Sequence, residues 1–335
     1  MLEKPSIADE TIISHIAQAY GLPAARVEFL PLGADVNTAV YRVTTELGEP
    51  YFLKLRGGAF EPMSVMVPRF LCDQGIRQII EPIRAADGAP WSHLDRFTCV
   101  LYPFIEGQNA WAVPLTEAQW VDFGAALRAV QSAPLPAEIK SRLPVEIYSE
   151  KYREQVKDYL SLVEQKTFPD PLSQRMADFM RHHRDEMVFV TGRAEALAQA
   201  LMAQPMAAVL CHADLHAGNL LVTASGDFSI VDWDNPILAP KERDLMFIGA
   251  GIGGNWNTER EETLFYQGYG AADINQAALA YYRYERIVQD FAAYCDEILL
   301  TEGSSSDREQ GLRYFMSNFD PASTIEMARR IDPAR

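Results

Sequence analysis

Strand-forming and helix-forming patterns are segregated along this chain rather than interleaved, which excludes the alternating α/β architectures. Three short β-branched and aromatic runs, RVEFLPL, AVYRVTT and YFLKLR, succeed one another between residues 26 and 56, separated by the turn residues of GADVNT and ELGEP. Runs so spaced predict an antiparallel meander. Two more strand candidates follow, the second being FTCVLYPFIEG at residues 97–107. Beyond Gly107 the apolar spacing turns helical in TEAQWVDFGAALRAVQ, YSEKYREQVKDYLSLVEQ and SQRMADFMRHHRDEMVFVTGRAEALAQALMA. One stretch interrupts the helices: NLLVTASGDFSIVDWD carries two apolar strands around ASGD and reads as a hairpin. The expected fold is α+β in two lobes, β-rich over residues 1–107 and mainly helical over 108–335.

Ahead of the meander, SIADETIISHIAQAYG has Ser6 and Asp9 at capping-box spacing, Ile12, Ile13, Ile16 and Tyr20 on one face, and Gly21 as a stop. A helix is expected there. A second helical segment around Leu71 and Cys72 contains Pro68, which blurs its limits.

At 335 residues and 48% apolar content the chain can bury a substantial core. A net charge of -16 argues against a nucleic-acid or anionic-membrane partner, each of which selects a basic patch, and favours a cationic small molecule. Cys72, Cys99, Cys211 and Cys295 are scattered without a C-x-x-C pair, as reduced thiols would be. The opening MLEKPSIADETI lacks the apolar core of a secretory signal, and no run approaches the ~18 apolar residues of a spanning helix. A cytoplasmic monomer is expected.

Two motifs compete for a nucleotide. Gly249, Gly251 and Gly254 complete G-x-G-x-x-G after an apolar run, but the sequence that follows is helical throughout and supplies no second strand for a βαβ unit. A connection between helices, with Trp256 exposed on it, is the expected structure there. The second motif is VLCHADLHAGNLLV followed by FSIVDWDNP, in which His212, Asp214 and Asn219 have the H-x-D-x-x-x-x-N spacing of a kinase catalytic loop and Asp232 follows on the hairpin. Phosphoryl transfer needs a carboxylate at the acceptor hydroxyl, the role for Asp214, and Mg²⁺ on oxygen ligands, which Asn219, Asp232 and Asp234 can supply. Lys54, mid-strand among apolar residues, suits the ATP phosphates, and the turn LGADVNTAVY can approach them through Gly33 and Asn37. Read blandly, Lys54 is a snorkelling surface lysine, Asp214 a loop cap and Asp232 a turn residue. His212 is expected to pack and hold the loop, with His216 facing solvent.

On these blocks, together with IVDWDNPILAPKERDLMFIGAG, YSEKYRE and YYRYERIVQD, the chain resembles the aminoglycoside phosphotransferase family, kinase-like enzymes acting on small molecules. The resemblance runs over essentially the whole chain. It implies a two-lobed protein kinase-like fold, ATP and Mg²⁺ as cofactors, and O-phosphorylation of an aminocyclitol or aminoglycoside antibiotic, spectinomycin in the narrowest form. It further implies Asp214 as catalytic aspartate, Asn219 and Asp232 as magnesium ligands, Lys54 as phosphate-binding lysine, and LYPFIEG as a hinge whose Pro103 carbonyl and Ile105 N–H meet adenine. Asp244 would brace the catalytic loop. The family's lysine pairs with a helix glutamate, and here Glu61, next to Pro62, is the one acidic residue between Lys54 and Asp73. Candidates for a cationic acceptor are Asp234, Trp256, Glu285 and Asp290, with Arg286 and Asp290 equally able to pair on a helix face. A choline, methylthioribose or homoserine kinase shares the catalytic block, and a binding scaffold without transferase activity would lack one of Lys54, Asp214, Asn219 or Asp232.

Overall fold

The computed structural model describes residues 4–32, 37–250, 256–301 and 306–334. The described strands are β1 (Ala24–Leu30), β2 (Thr38–Thr45), β3 (Pro50–Gly57), β4 (Ser92–Leu94), β5 (Phe97–Pro103), β6 (Gly107–Asn109), β7 (Val209–Cys211), β8 (Leu220–Thr223), β9 (Phe228–Ile230) and β10 (Ile237–Ala239). The chain divides into two compact units, one of Met1–Gln119, Ser132–Leu143 and Gly218–Pro236, the other of Trp120–Gln131, Pro144–Ala217 and Ile237–Arg335. The β-rich unit is therefore not the contiguous block 1–107. The hairpin of β8 and β9 folds with it, because β6 pairs with β8 and makes the hairpin a three-stranded sheet.

In the first unit, β1, β2, β3, β5 and β4 form an antiparallel sheet in that order, the meander expected from the turn spacing with β4 added at an edge. Alternation decides the faces. Tyr41, Val43, Leu53, Leu55, Cys99 and Leu101 bury against Ile12, Ile16 and Tyr20 of the helix Asp9–Tyr20. Each fully buried aliphatic side chain stabilises the fold by about 1.5–3 kcal/mol. Lys54 and Arg56 fall on the opposite face by the same period of two. The helix ends at Gly21 in the left-handed region (φ 67°), its N–H reaching the Ala17 carbonyl. It begins later than Ser6 suggested: Ala8 is the N-cap, without a side-chain cap bond, and Asp9 and Glu10 place their charge at the first turn instead. Pro68 lies inside the helix Met63–Asp73, which runs through it.

The second unit is helical around Gln276–Leu299, which packs against the helices Lys151–Gln165, Pro171–His182, Arg184–Ala203, Ser306–Ser317 and Thr324–Ile331. The long pattern at 173–203 is two helices, broken at His183, whose ring stacks on Phe179 at 4.2 Å. Helices Glu117–Ser132 and Glu259–Tyr269 meet through reciprocal glycines. A Cβ on Gly124 would lie 2.0 Å from the Phe265 carbonyl oxygen, and one on Gly268 1.7 Å from that of Val121. Only hydrogen permits this approach. Antiparallel β7 and β10 form the unit's small sheet. No described helix is long and apolar enough to cross a membrane.

Candidate active site

In the first unit, Lys54 sits in register between Val40 of β2 and Val100 of β5. Its ammonium lies 2.7 Å from Asp232 Oδ1 and 3.2 Å from Asp234 Oδ1. Arg56, two residues along the same face, closes an ion pair with Asp234. Burial alone would lower the lysine's pKa, but Asp232 and Asp234 outweigh it and hold the ammonium charged. For Asp234, burial and the neighbouring Asp232 charge push the pKa up against the pull of Lys54 and Arg56. Asp232 adopts φ 67°, a strained conformation for a residue with a Cβ. Around it, Val231 N–H donates to the Asn219 carbonyl at 2.9 Å and Trp233 Nε1 to the Ile230 carbonyl at 3.1 Å. Asn219 itself is 7% exposed at the start of β8.

Lys54 thus takes its carboxylates not from Glu61 but from the segment just after β9, which ends at Ile230 before the Asp232 that the sequence placed on the hairpin. The Glu61 carboxylate is turned to its own helix start, where it accepts from Met63 N–H at 3.1 Å, and Asp73 of that helix pairs with Arg69. Asn37 stands where the turn re-enters β2, its carbonyl accepting from Gly57 N–H at 2.8 Å. With Thr38, Arg56, Gly57, Gly58 and Ala59 it lines a cavity of about 220 Å³. Gly33 lies outside the described residues. Pro103 ends β5, paired with Tyr51, and Ile105 lies in the link to β6. Arg42 fastens that link, stacking over Phe104 at 4.3 Å from the ring centre and reaching Glu106 at 2.5 Å.

In the second unit, Asp214 follows β7 on a loop shaped by Ala213 at φ 73°. Asp244, fully buried, accepts from His212 N–H at 3.0 Å and from Ala213 N–H at 2.8 Å. This two-point bond fixes the strained backbone just before Asp214. His212 is 1% exposed, and its Nδ1 accepts from Asp214 N–H at 3.3 Å, so it does pack and hold the loop. Arg286 Nη1 lies 2.5 Å from Asp214 Oδ1, its Nε 3.1 Å from Asp290 Oδ1, and His216 Nε2 3.6 Å from Asp214 Oδ2. Burial would raise the Asp214 pKa, but Arg286, His216 and His212 bring it below the ordinary carboxylate value. Asp290 moves the other way, raised by burial against the pull of Arg286.

Two acceptor candidates are placed differently from expectation. Trp256 is 5% exposed, packed edge-on to Trp120 at 5.2 Å and against Phe123 at 5.5 Å, rather than displayed on a loop. Glu285 is buried in an ion pair with Arg153, so its charge is already matched. The glycine-rich stretch gives no dinucleotide fold: helices Glu259–Tyr269 and Gln276–Leu299 follow it, and Gly251 and Gly254 lie outside the described residues. Arg56, Arg153 and the contact of Arg286 with Asp214 escaped the sequence reading, since each joins segments far apart in the chain.

Asn219 and Asp232 offer an amide carbonyl and a carboxylate, the hard oxygens with which Mg²⁺ completes its shell from phosphate and water. Among the described residues no group of three or more His, Cys, Asp or Glu forms a self-sufficient metal cage. The donor set fits an ion that arrives with its nucleotide.

Residues 26–284 match the phosphotransferase enzyme family. A crystal structure of a spectinomycin phosphotransferase, APH(9)-Ia, in complex with ADP and spectinomycin, is 35% identical, with TM-score 0.92, covering 98% of this chain and 99% of that one. Protein StrN of Streptomyces griseus is 26% identical over 286 residues, 80% of this chain and 83% of its own. A choline kinase from Streptococcus pneumoniae, at 15% identity and TM-score 0.58 over 96% of this chain and 98% of that one, shares the fold. With the match spanning both the β-rich and the helical parts, this chain belongs to the phosphotransferase enzyme family.

Proposed function

We propose that the protein is a cytoplasmic, monomeric, ATP- and Mg²⁺-dependent O-phosphotransferase that phosphorylates a hydroxyl of spectinomycin or a near aminocyclitol and so inactivates the antibiotic. The observation that carries this reading is the 35% identity over nearly the full length of both chains to an enzyme solved with ADP and spectinomycin. Kinases of choline type are alike at a level that speaks for the fold alone.

In this reading Lys54 supplies the cation for the nucleotide phosphates, and Pro103 and Ile105 offer a carbonyl and an N–H to the adenine edge. Asn219 and Asp232 hold the magnesium, which when bound neutralises charge on the transferring phosphates. Asp214 accepts the hydrogen bond of the acceptor hydroxyl and aims its oxygen along the line of attack. Asp244 keeps the loop in place through two backbone N–H groups. Among the acceptor candidates, Asp290 lies at the Asp214 cluster but is paired with Arg286 at 3.1 Å, so the acceptor's protonated amines are left to other carboxylates. The net charge of -16 favours such a cation's approach.

The test is ADP release by the purified protein with Mg·ATP against spectinomycin, kanamycin, hygromycin, choline and methylthioribose. Turnover with spectinomycin is expected, and Asp214→Ala should lower it by about 10²–10⁴-fold with ATP affinity retained. Silence with spectinomycin and turnover of choline or methylthioribose would overturn the acceptor while keeping the chemistry.

A further inference from the structure

A basic residue on the catalytic carboxylate is an odd neighbour in an enzyme for a cationic acceptor, and here the contact is specific. Arg286, on the helix Gln276–Leu299, bonds Asp214 Oδ1 through Nη1 at 2.5 Å and Asp290 Oδ1 through Nε at 3.1 Å. Its guanidinium also lies 5.9 Å from the ring centre of Phe247. Three neighbours on three segments thus fix its position: Asp214 on the loop after β7, Asp290 one turn along its own helix, and Phe247 beyond Asp244. Asp290 lines a small cavity with Arg286, Met246, Ala250, Ile287 and Thr324.

We propose that Arg286 is a positioning residue for Asp214: anchored by Asp290, it holds Oδ1, keeps the carboxylate charged, and turns Oδ2 to the acceptor hydroxyl. The charged and titratable groups facing Asp214 are Arg286, His216 and His212, with Asp290 behind Arg286. Their sum lowers the proton affinity of Asp214, which suits an orienting acceptor better than an early base. The acceptor oxygen forms its bond to the γ-phosphorus as the bond to the leaving oxygen breaks, ADP keeps that electron pair, and the hydroxyl proton passes to Oδ2 late. An ionised Asp214 is required at the start of that sequence, and Arg286 maintains it to lower pH than an isolated aspartate would allow. Asp290 matters through Arg286: without it the guanidinium would be free to leave Oδ1.

This inference rests on the phosphotransferase reading, and its test is built to fail separately. The kcat and the KM for ATP are measured from about pH 3 to 9, so that the carboxylate limb lies inside the window, for wild type, Arg286→Met, Arg286→Lys and Arg286→Gln, on whichever acceptor the wild type turns over, water included. Wild-type silence with spectinomycin would strike only the acceptor assignment. For Arg286→Met the expectation is a loss of kcat of about 10²-fold with the KM for ATP unchanged. Its acid limb should move up by about one to three pH units, the effect of one arginine on a neighbouring aspartate. Arg286→Lys should recover part of kcat and return the limb toward wild type. Arg286→Gln keeps an N–H donor without the charge, so it should shift the limb with a smaller loss of kcat, and it serves if the Met variant does not fold. The same comparison in a His216→Gln background keeps the imidazole's titration from being read as that of Asp214. Superimposable limbs in the Met and Gln variants, or a rise in the KM for ATP in place of the fall in kcat, would overturn the proposal.

Discussion

The pair Arg153–Glu285 gives the sharpest energetic prediction, because it decides between two uses of one carboxylate. Both side chains are only 3% exposed, and Arg153 also donates to the Tyr148 carbonyl at 2.9 Å. Removing Arg153 leaves Glu285 buried with burial raising its pKa and only Arg243 still opposing that rise among the cations that act on it. An uncompensated buried charge of this kind costs about 3–5 kcal/mol. Unfolding entropy of about 2.1 cal/mol/K per residue over a chain of 335 gives roughly 0.7 kcal/mol/K, so Arg153→Met should lower Tm by about 4–7 °C. The double variant Arg153→Met/Glu285→Leu should return to within about 1 kcal/mol of wild type, the remainder being the Tyr148 carbonyl left without its donor. The pH dependence has a fixed sign. With Arg153 gone, folded Glu285 binds protons more tightly than unfolded Glu285, so the deficit of Arg153→Met is largest at neutral pH and shrinks as pH falls toward the raised folded value. Urea titrations followed by helical circular dichroism at pH 5 and pH 7.5 read both numbers. Single-variant costs below about 1 kcal/mol, the worth of a surface pair, would refute the burial argument. An active double variant with unchanged KM for the acceptor would also assign Glu285 to the core, and a collapse of that KM alone would return it to the acceptor site.

Asp232→Ala should weaken Mg·ATP binding at least about tenfold by calorimetry while the protein remains folded, since Lys54 keeps Asp234 at 3.2 Å; unchanged affinity would remove Asp232 from the metal. Gly268→Ala forces a Cβ to within 1.7 Å of the Val121 carbonyl oxygen and should cost about 1–3 kcal/mol by thermal unfolding. Gly192→Ala, in a helix interior with open space around it, should instead stabilise by about 0.5–1 kcal/mol. Equal shifts of one sign in the two glycine variants would contradict the packing described for Gly268.

The parts of this molecule that could be read from sequence are those whose physics is local. Alternation put Leu53 and Leu55 in the core and Lys54 and Arg56 on the other face, and the catalytic block lies within residues 212–234, where spacing alone brings out its pattern. Failures came where a residue's partner is remote. Glu61 was the first carboxylate after Lys54 in the chain, yet the partners that hold Lys54 are 178 and 180 residues away, just beyond β9. Trp256 beside glycines suggested display, but Trp120 and Phe123 bury it. Arg286 carries the most instruction. Its i,i+4 pairing with Asp290 was legible, whereas its bond to Asp214, 72 residues earlier, was not. A helix-face ion pair and the hold proposed here for Arg286 on Asp214 have the same sequence signature. What separates them is a second bond to one oxygen. Local pattern therefore identifies which groups can do chemistry, and remote charge pairing decides which of those groups is held in the protonation state the chemistry needs.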